Sequence, residues 1–178
     1  IAPYVSTVTN LIKKEDGIII GKCNMDEFAC GSDGTSSYFG PTKNPRNTDY
    51  VPGGSSSGSA ASVAADFCDL SIGSDTGGSI RCPASFCGVY GFKPSYGLVS
   101  RYGLSDMAMS LEGPGPFAKD TYGIALLLDV ISGKDPRDTV TVESDKSCYV
   151  ETVENFNDSD IKKMKIAYAK EFFEGVDE

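Results

Sequence analysis

Two turns rich in glycine and serine, Gly53 to Ser59 and Gly73 to Arg81, each lead into a stretch able to form a helix, and this pairing limits the fold more than any other feature of the chain. Such turns are polar and conformationally permissive, so each belongs at the rim of a layer where a helix begins. The first feeds the run Ala60 to Ala65, and alanine is the strongest helix former. The second follows a short strand over Leu70 to Ile72 and precedes a brief helix around Pro83 to Phe86. A strand over Val89 to Phe92 comes next, closed by Pro94. Ser6 can cap a helix carrying Val8, Leu11 and Ile12, and Ile124, Leu127, Leu128 and Ile131 recur at helical spacing, with Gly17 and Gly133 as stops. Ile18 to Ile20 and Lys165 to Phe173 read as further strands, while Gly31 to Gly54 and the acidic stretch Ser132 to Asp160 read as loops. The alternation predicts an α/β fold, a mixed sheet flanked by helices on both faces.

The 178 residues are of single-domain size, and 40% hydrophobic content is enough for a core. No run of about 18 apolar residues occurs, so no membrane span is expected, and no secretory leader is visible. A formal charge of −9 repels phosphate backbones, which argues against direct contact with nucleic acid. The absence of histidine removes Ser-His-Asp triads, Cys-His dyads and histidine-based metal sites together. Hydrolytic chemistry therefore needs another base. The six cysteines show no C-x-x-C spacing, so they read as small hydrophobes in a reducing compartment, the cytoplasm, rather than as a metal site.

Three readings of the serine turns compete. A phosphate cradle fits the G-x-x-x-x-G spacing from Gly53 to Gly58, but Ser59 stands where the lysine of a P-loop belongs. A nucleophile elbow matches Gly54 to Gly58 formally, yet Pro52 replaces the strand it needs and no histidine follows. In the third reading both turns face one cleft and serve acyl transfer with a lysine as base. Thr76, Gly77, Gly78 and Ser79 then offer consecutive backbone N–H groups ahead of a helix, suited to a developing oxyanion, with the Ser79 hydroxyl beside them. Lowering an ammonium from about 10.4 to near neutrality costs ~4 kcal/mol, which burial must supply. A second serine can relay the proton, and residue types alone do not choose Ser55 over Ser56.

Gly53-Gly-Ser-Ser-Ser-Gly-Ser59, Gly73-Ser-Asp-Thr-Gly-Gly-Ser-Ile-Arg81 and Gly88-Val-Tyr-Gly-Phe-Lys-Pro94 together resemble the amidase signature family. Gly21-Lys-Cys-Asn-Met-Asp-Glu-Phe28, Phe39-Gly-Pro-Thr-Lys-Asn-Pro45 and Val99-Ser-Arg-Tyr-Gly-Leu104 narrow the resemblance to its branch of glutaminase subunits of tRNA-dependent amidotransferases. The resemblance implies the amidase signature fold, an acyl-enzyme on Ser79, and a bridging Ser55 preceded by a cis peptide bond. With these go the oxyanion donors Thr76, Gly77 and Gly78. Ser57 replaces a glycine of the family's loop, which requires a negative φ at that position. None of Lys13, Lys14, Lys22 or Lys93 matches the family's basic lysine, which is expected upstream of Ile1. Residues 1–178 are thus expected to form a single incomplete domain, truncated at both ends and inactive alone. The implied activity releases ammonia from glutamine to amidate Glu-tRNA(Gln), or Asp-tRNA(Asn) as well. The implied partners are the B subunit, and a C subunit where present, with tRNA met only through them. No cofactor is expected in this chain, ATP and Mg²⁺ falling to the partner subunit. A stand-alone amidase of the same family, or a non-catalytic module that binds phosphate or a partner, are the competing readings.

Overall fold

In the computed structural model, which describes residues 3–105, 107–143 and 148–176, three antiparallel strands lie in the order β1-β3-β2. β1 spans Leu70–Asp75, β2 Tyr90–Gly91 and β3 Gly113–Ala118. β3 pairs with β1 along its whole length, from Leu70 opposite Ala118 to Asp75 opposite Gly113. Consecutive residues of a strand face opposite sides of a sheet, and Phe117 and Ala118 show what covers each. Phe117 packs with Ala60, Val63, Ile80 and Ala84, whereas Ala118 packs with Ile124 and Leu128. One face therefore carries α2 (Ser57–Ala64) and α3 (Arg81–Cys87), and the other carries α4 (Thr121–Ile131). Complete burial of a side chain such as Phe117 stabilises by about 1.5–3 kcal/mol. α1 (Thr7–Lys14) joins the α4 face through Val8, Val99, Ile131 and Ile72. The expected α/β class with helices on both faces holds, and all three described strands pair antiparallel.

The helix ends follow from local chemistry. Ser6 accepts from the Thr9 amide at α1 and Asp120 from the Gly123 amide at α4, each meeting a donor that the first turn leaves free. α3 stops at Gly88, which is left-handed with φ 66°.

Three expectations need correction, and one strand was not anticipated. Ile18 to Ile20 forms no ladder and stands 88%, 46% and 70% exposed. Strand propensity is expressed only against a partner, and among the described residues none lies alongside it. Lys165 to Phe173 likewise forms no strand, and ends in a 3₁₀ turn over Lys170–Phe173 with no buried residue. The stretch Ser132 to Asp160, expected as a loop, contains the helices α5 (Tyr149–Asn155) and α6 (Asp158–Ile161), with residues 144–147 outside the described part. The Asp129 carboxylate accepts from the Tyr149 amide at 2.6 Å and the Val150 amide at 3.1 Å. The acid that interrupts the apolar run of α4 thus caps the next helix. Finally, β3 was hidden by Pro114 and Pro116, since proline removes a ladder donor. The Phe92 amide donates to the Pro116 carbonyl at 3.0 Å, and a residue's N–H and C=O point to the same side of a strand. Both prolines therefore turn their missing donors toward short β2, and the glycines and Phe117 between them serve the ladder with β1.

Among the described residues, no helix is long and apolar enough to cross a membrane.

Candidate active site

The first serine turn is braced from three directions. Its Ser55 carbonyl accepts from the Asp26 amide at 3.1 Å, and the Gly58 amide donates to the Asn24 carbonyl at 2.9 Å. The Asp26 carboxylate is itself held by the Gly34 amide and by the Ser36 amide and hydroxyl, at 3.0, 3.0 and 2.8 Å. It presses on the turn so closely that a β-carbon on Gly54 would come within 2.0 Å of Asp26 Oδ2, so only glycine fits there. The Ser56 hydroxyl accepts from the Ser74 amide and donates to the Ser74 carbonyl, both at 3.1 Å, which latches the start of α2 to β1. Gly73 makes room for that latch, since a β-carbon on it would lie 2.6 Å from Ser56 Oγ.

The Gly54–Ser55 peptide bond is cis, as the family resemblance implies. Ser57 opens α2 without a positive φ, and its hydroxyl lies 2.9 Å from Thr42 Oγ1, so the serine in place of glycine is accommodated.

The two turns meet where the Ser56 amide donates to the Ser79 carbonyl at 3.2 Å. Ser55 and Ser79 are thereby brought to one place in the molecule. The Ser55 side chain is 0% exposed, and among the described residues its Oγ has no hydrogen-bond partner. A buried hydroxyl left unsatisfied costs about 1–3 kcal/mol, so such an atom marks a position kept for a further group. Ser56 is engaged as both donor and acceptor, whereas the Ser55 hydroxyl is uncommitted among the described residues. Ser79 is half-buried, and among the described residues its hydroxyl has no partner.

The second turn is shaped by Asp75, a residue given no role from sequence. Its carboxylate is fully buried and accepts from the Gly78 amide at 2.8 Å and the Ile80 amide at 3.1 Å. Arg81 grips both of its oxygens, Nε to Oδ2 and Nη2 to Oδ1, each at 3.0 Å. Burial pushes the Asp75 carboxyl upward, but the hydrogen bonds from Arg81 and from the Ile80 and Arg81 amides outweigh it and hold the group below its usual range. The signal was present in the sequence: an aspartate whose side chain reaches an amide three residues on is a recognised turn former.

This brace changes the expected donor set. The Gly78 amide is committed to Asp75. Among the described residues, the Thr76, Gly77 and Ser79 amides donate to no protein acceptor. The three sites expected as oxyanion donors thus divide into one that holds the turn and two that stay open, joined by the amide of Ser79 itself.

Two surface cavities lie away from the serine turns. One of about 360 Å³ is lined by Asn44, Arg46, Asn47, Tyr50, Val51 and Phe86, and one of about 210 Å³ by residues that include Arg46, Ala64 and Lys119. Neither includes a residue of the serine turns, and neither gathers a nucleophile with a base. Among the described residues, no group of three or more cysteine or acidic side chains could hold a metal ion.

Comparison with known proteins adds to this geometry. The family model described as Amidase matches residues 1–178. The A subunit of the glutamyl-tRNA(Gln) amidotransferase of Methanocaldococcus jannaschii is 59% identical over 178 residues, 100% of this chain and 39% of that protein. The crystal structure of the corresponding Thermotoga maritima protein, of the same name, superposes with a TM-score of 0.78 at 50% identity, covering 79% of this chain and 31% of that one. The peptide amidase of Stenotrophomonas maltophilia superposes with a TM-score of 0.80 at 36% identity, covering 84% and 32%. The chain thus spans about two fifths of the length of the curated relative it matches.

Proposed function

Given that this chain belongs to the amidase family, we propose that the complete protein is the glutaminase component of a tRNA-dependent amidotransferase, with Ser79 as nucleophile and Ser55 as proton relay. The Ser79 hydroxyl attacks the side-chain amide carbon of glutamine. Its proton passes through Ser55 to an amine, and the free amides of Thr76, Gly77 and Ser79 receive the negative charge that forms on the carbonyl oxygen. The C–N bond then breaks, nitrogen takes the relayed proton and leaves as ammonia, and water hydrolyses the glutamyl ester to glutamate. Ammonia goes to partner subunits that hold and activate the misacylated tRNA, Glu-tRNA(Gln) and in some enzymes Asp-tRNA(Asn). ATP and Mg²⁺ act on those partners, which agrees with the acidity of this chain.

One observation carries this reading: a fully buried, unpartnered Ser55 hydroxyl in a turn hydrogen-bonded to the turn of Ser79. No lysine of the described residues meets Ser55, so the amine belongs to a part of the protein outside them. The kinship to the amidotransferase proteins, by identity and coverage, favours glutamine over other amides. The test uses the full-length protein with its partner subunits and follows glutamate release. Ser79→Ala is expected to lower glutamine hydrolysis on the order of 10⁴-fold or more, as loss of a nucleophile does. Unchanged turnover would point to a binding module. Loss of activity on small amides, with no glutamine hydrolysis in the wild type, would favour a stand-alone amidase.

A further inference from the structure

On the α2 face of the sheet, apart from the serine turns, two thiols converge on one hydroxyl. The Cys23 and Cys68 sulfurs lie 3.7 and 3.4 Å from Ser62 Oγ. Ser62 gives its own proton to the Ser59 carbonyl at 3.0 Å, so its oxygen is left as acceptor for both. Cys23 also lies 3.6 Å from the Ser71 hydroxyl of β1. The two sulfurs are consequently held no further apart than their two distances to Ser62 laid end to end. Cys23 is exposed and Cys68 partly so, and both are free thiols. Residues 21–25 form neither helix nor strand, and a change of χ1 rotamer at Cys23 carries its sulfur across part of the gap. A disulfide asks for β-carbons about 3.5–4.5 Å apart, so its formation requires this segment to move toward Cys68. Cys87 offers the contrast. It is buried, donates to the Pro52 carbonyl at 3.4 Å, and burial pushes its thiol up to about 11, the profile of an inert cysteine.

We propose that Cys23 and Cys68 form a reversible intramolecular disulfide that distorts the first serine turn. The oxidant is a low-molecular-weight disulfide of the glutathione type. The Cys23 thiolate attacks one of its sulfurs, breaking that S–S bond and releasing one small thiol. The Cys68 thiolate then attacks the Cys23 sulfur, forming the protein disulfide and releasing the second small thiol. The protein loses two electrons and two protons, and the small disulfide gains them. Movement reaches the active site because Asn24, the next residue, holds the Gly58 amide through its carbonyl and both Gly40 and Thr42 through its side chain. A β-carbon on Gly58 would come within 2.5 Å of the Asn24 nitrogen, so the two backbones already touch. Two residues on, the Asp26 amide grips the Ser55 carbonyl.

The test treats the full-length protein with oxidised glutathione and maps its peptides by mass spectrometry. The expected result is a linked peptide pair containing Cys23 and Cys68, lighter by two hydrogens and separated again by dithiothreitol. Glutamine turnover should fall several-fold in the wild type and recover on reduction, while Cys68→Ser turns over normally and does not respond. The mapping stands whether or not the glutaminase reading holds, so the two can fail separately. A persistent glutathione adduct on Cys23 without the linkage, a linkage between other cysteines, or a Cys23–Cys68 bond that leaves turnover unchanged would each overturn the proposal.

Discussion

Two systems of buried aspartates, one at the serine turns and one at the junction of α1 and α4, use the same groups for different ends. Asp75 takes its donors from Gly78, Ile80 and Arg81, none more than six residues away. Asp135 and Asp138 gather Thr7, Ser100, Arg101 and Arg137, whose positions span most of the chain. A carboxylate with only local donors fixes the shape of a turn and adds little to the closing of the fold. One with distant donors ties remote segments together, and losing it releases all of them. Arginine serves in both, but Arg81 is 56% exposed whereas Arg101 is 9% exposed and pairs with Asp138 at 2.6 Å. The shape of the second serine turn and the joining of distant segments thus fall to different acids.

Asp138→Ala should have the largest effect, removing the buried carboxylate that Arg101 grips through Nε and Nη2. A loss of about 3–5 kcal/mol is expected, read as a lowered thermal midpoint with turnover per folded molecule unchanged. Asp75→Asn inverts that result. Turnover should fall roughly 10²-fold as the amides of the turn lose their aim, while stability drops by no more than about 1.5–3 kcal/mol. Equal effects of the two substitutions on turnover would break the comparison. Ser56→Ala should cost about 0.5–1.5 kcal/mol by opening the latch to Ser74 and should lower kcat more than it raises KM. Acid sharpens the contrast further. The hydrogen bonds from Arg101 hold the Asp138 carboxyl below its ordinary 3.8, and at Asp135 those from Thr7, Arg137 and Ser100 do so against the upward push of burial. A carboxyl depressed in the folded state stabilises fully above its ordinary value and stops doing so as pH falls through the depressed one. Stability should therefore decline progressively as pH falls below the ordinary carboxyl value, and Asp138→Ala should flatten that decline. Smallest of all, Arg46→Gln removes a cation from the Cys87 and Gly88 carbonyls at the end of α3 and should cost about 0.3–1 kcal/mol.

Much of the site was legible in residues 53–59 and 73–81, because turn formers, helix formers and hydroxyls are all local signals. Among the described residues the amides of Thr76, Gly77 and Ser79 are open, and what sets Ser56 apart from Ser55 is its bonding to Ser74, far off in sequence. The engagement of the Gly78 amide was hidden for a different reason. A reading of the turn weighs backbone donors, and the acceptor that takes this one is a side chain three residues back. In the fold, α1 to α4 lie where helices were expected, and strands formed at Leu70 and around Tyr90 as expected but not at Ile18 or Lys165. Ile18 to Ile20 has the right residues and no partner, whereas β3 has two prolines and partners on both sides. Strand formation is decided by what lies alongside, which no local window contains.

Pro114 and Pro116 also set how far β2 can follow β3. With both missing donors turned to one side, a longer neighbour there would find carbonyls to bond but no amides to answer its own. Past Phe92 the chain therefore leaves the ladder, and Lys93 finds its acceptor on the Leu111 carbonyl at 2.8 Å instead. The imino rings thus limit how far a neighbour can pair along this side of β3, and leave the rest of that flank less able to take up a stray strand.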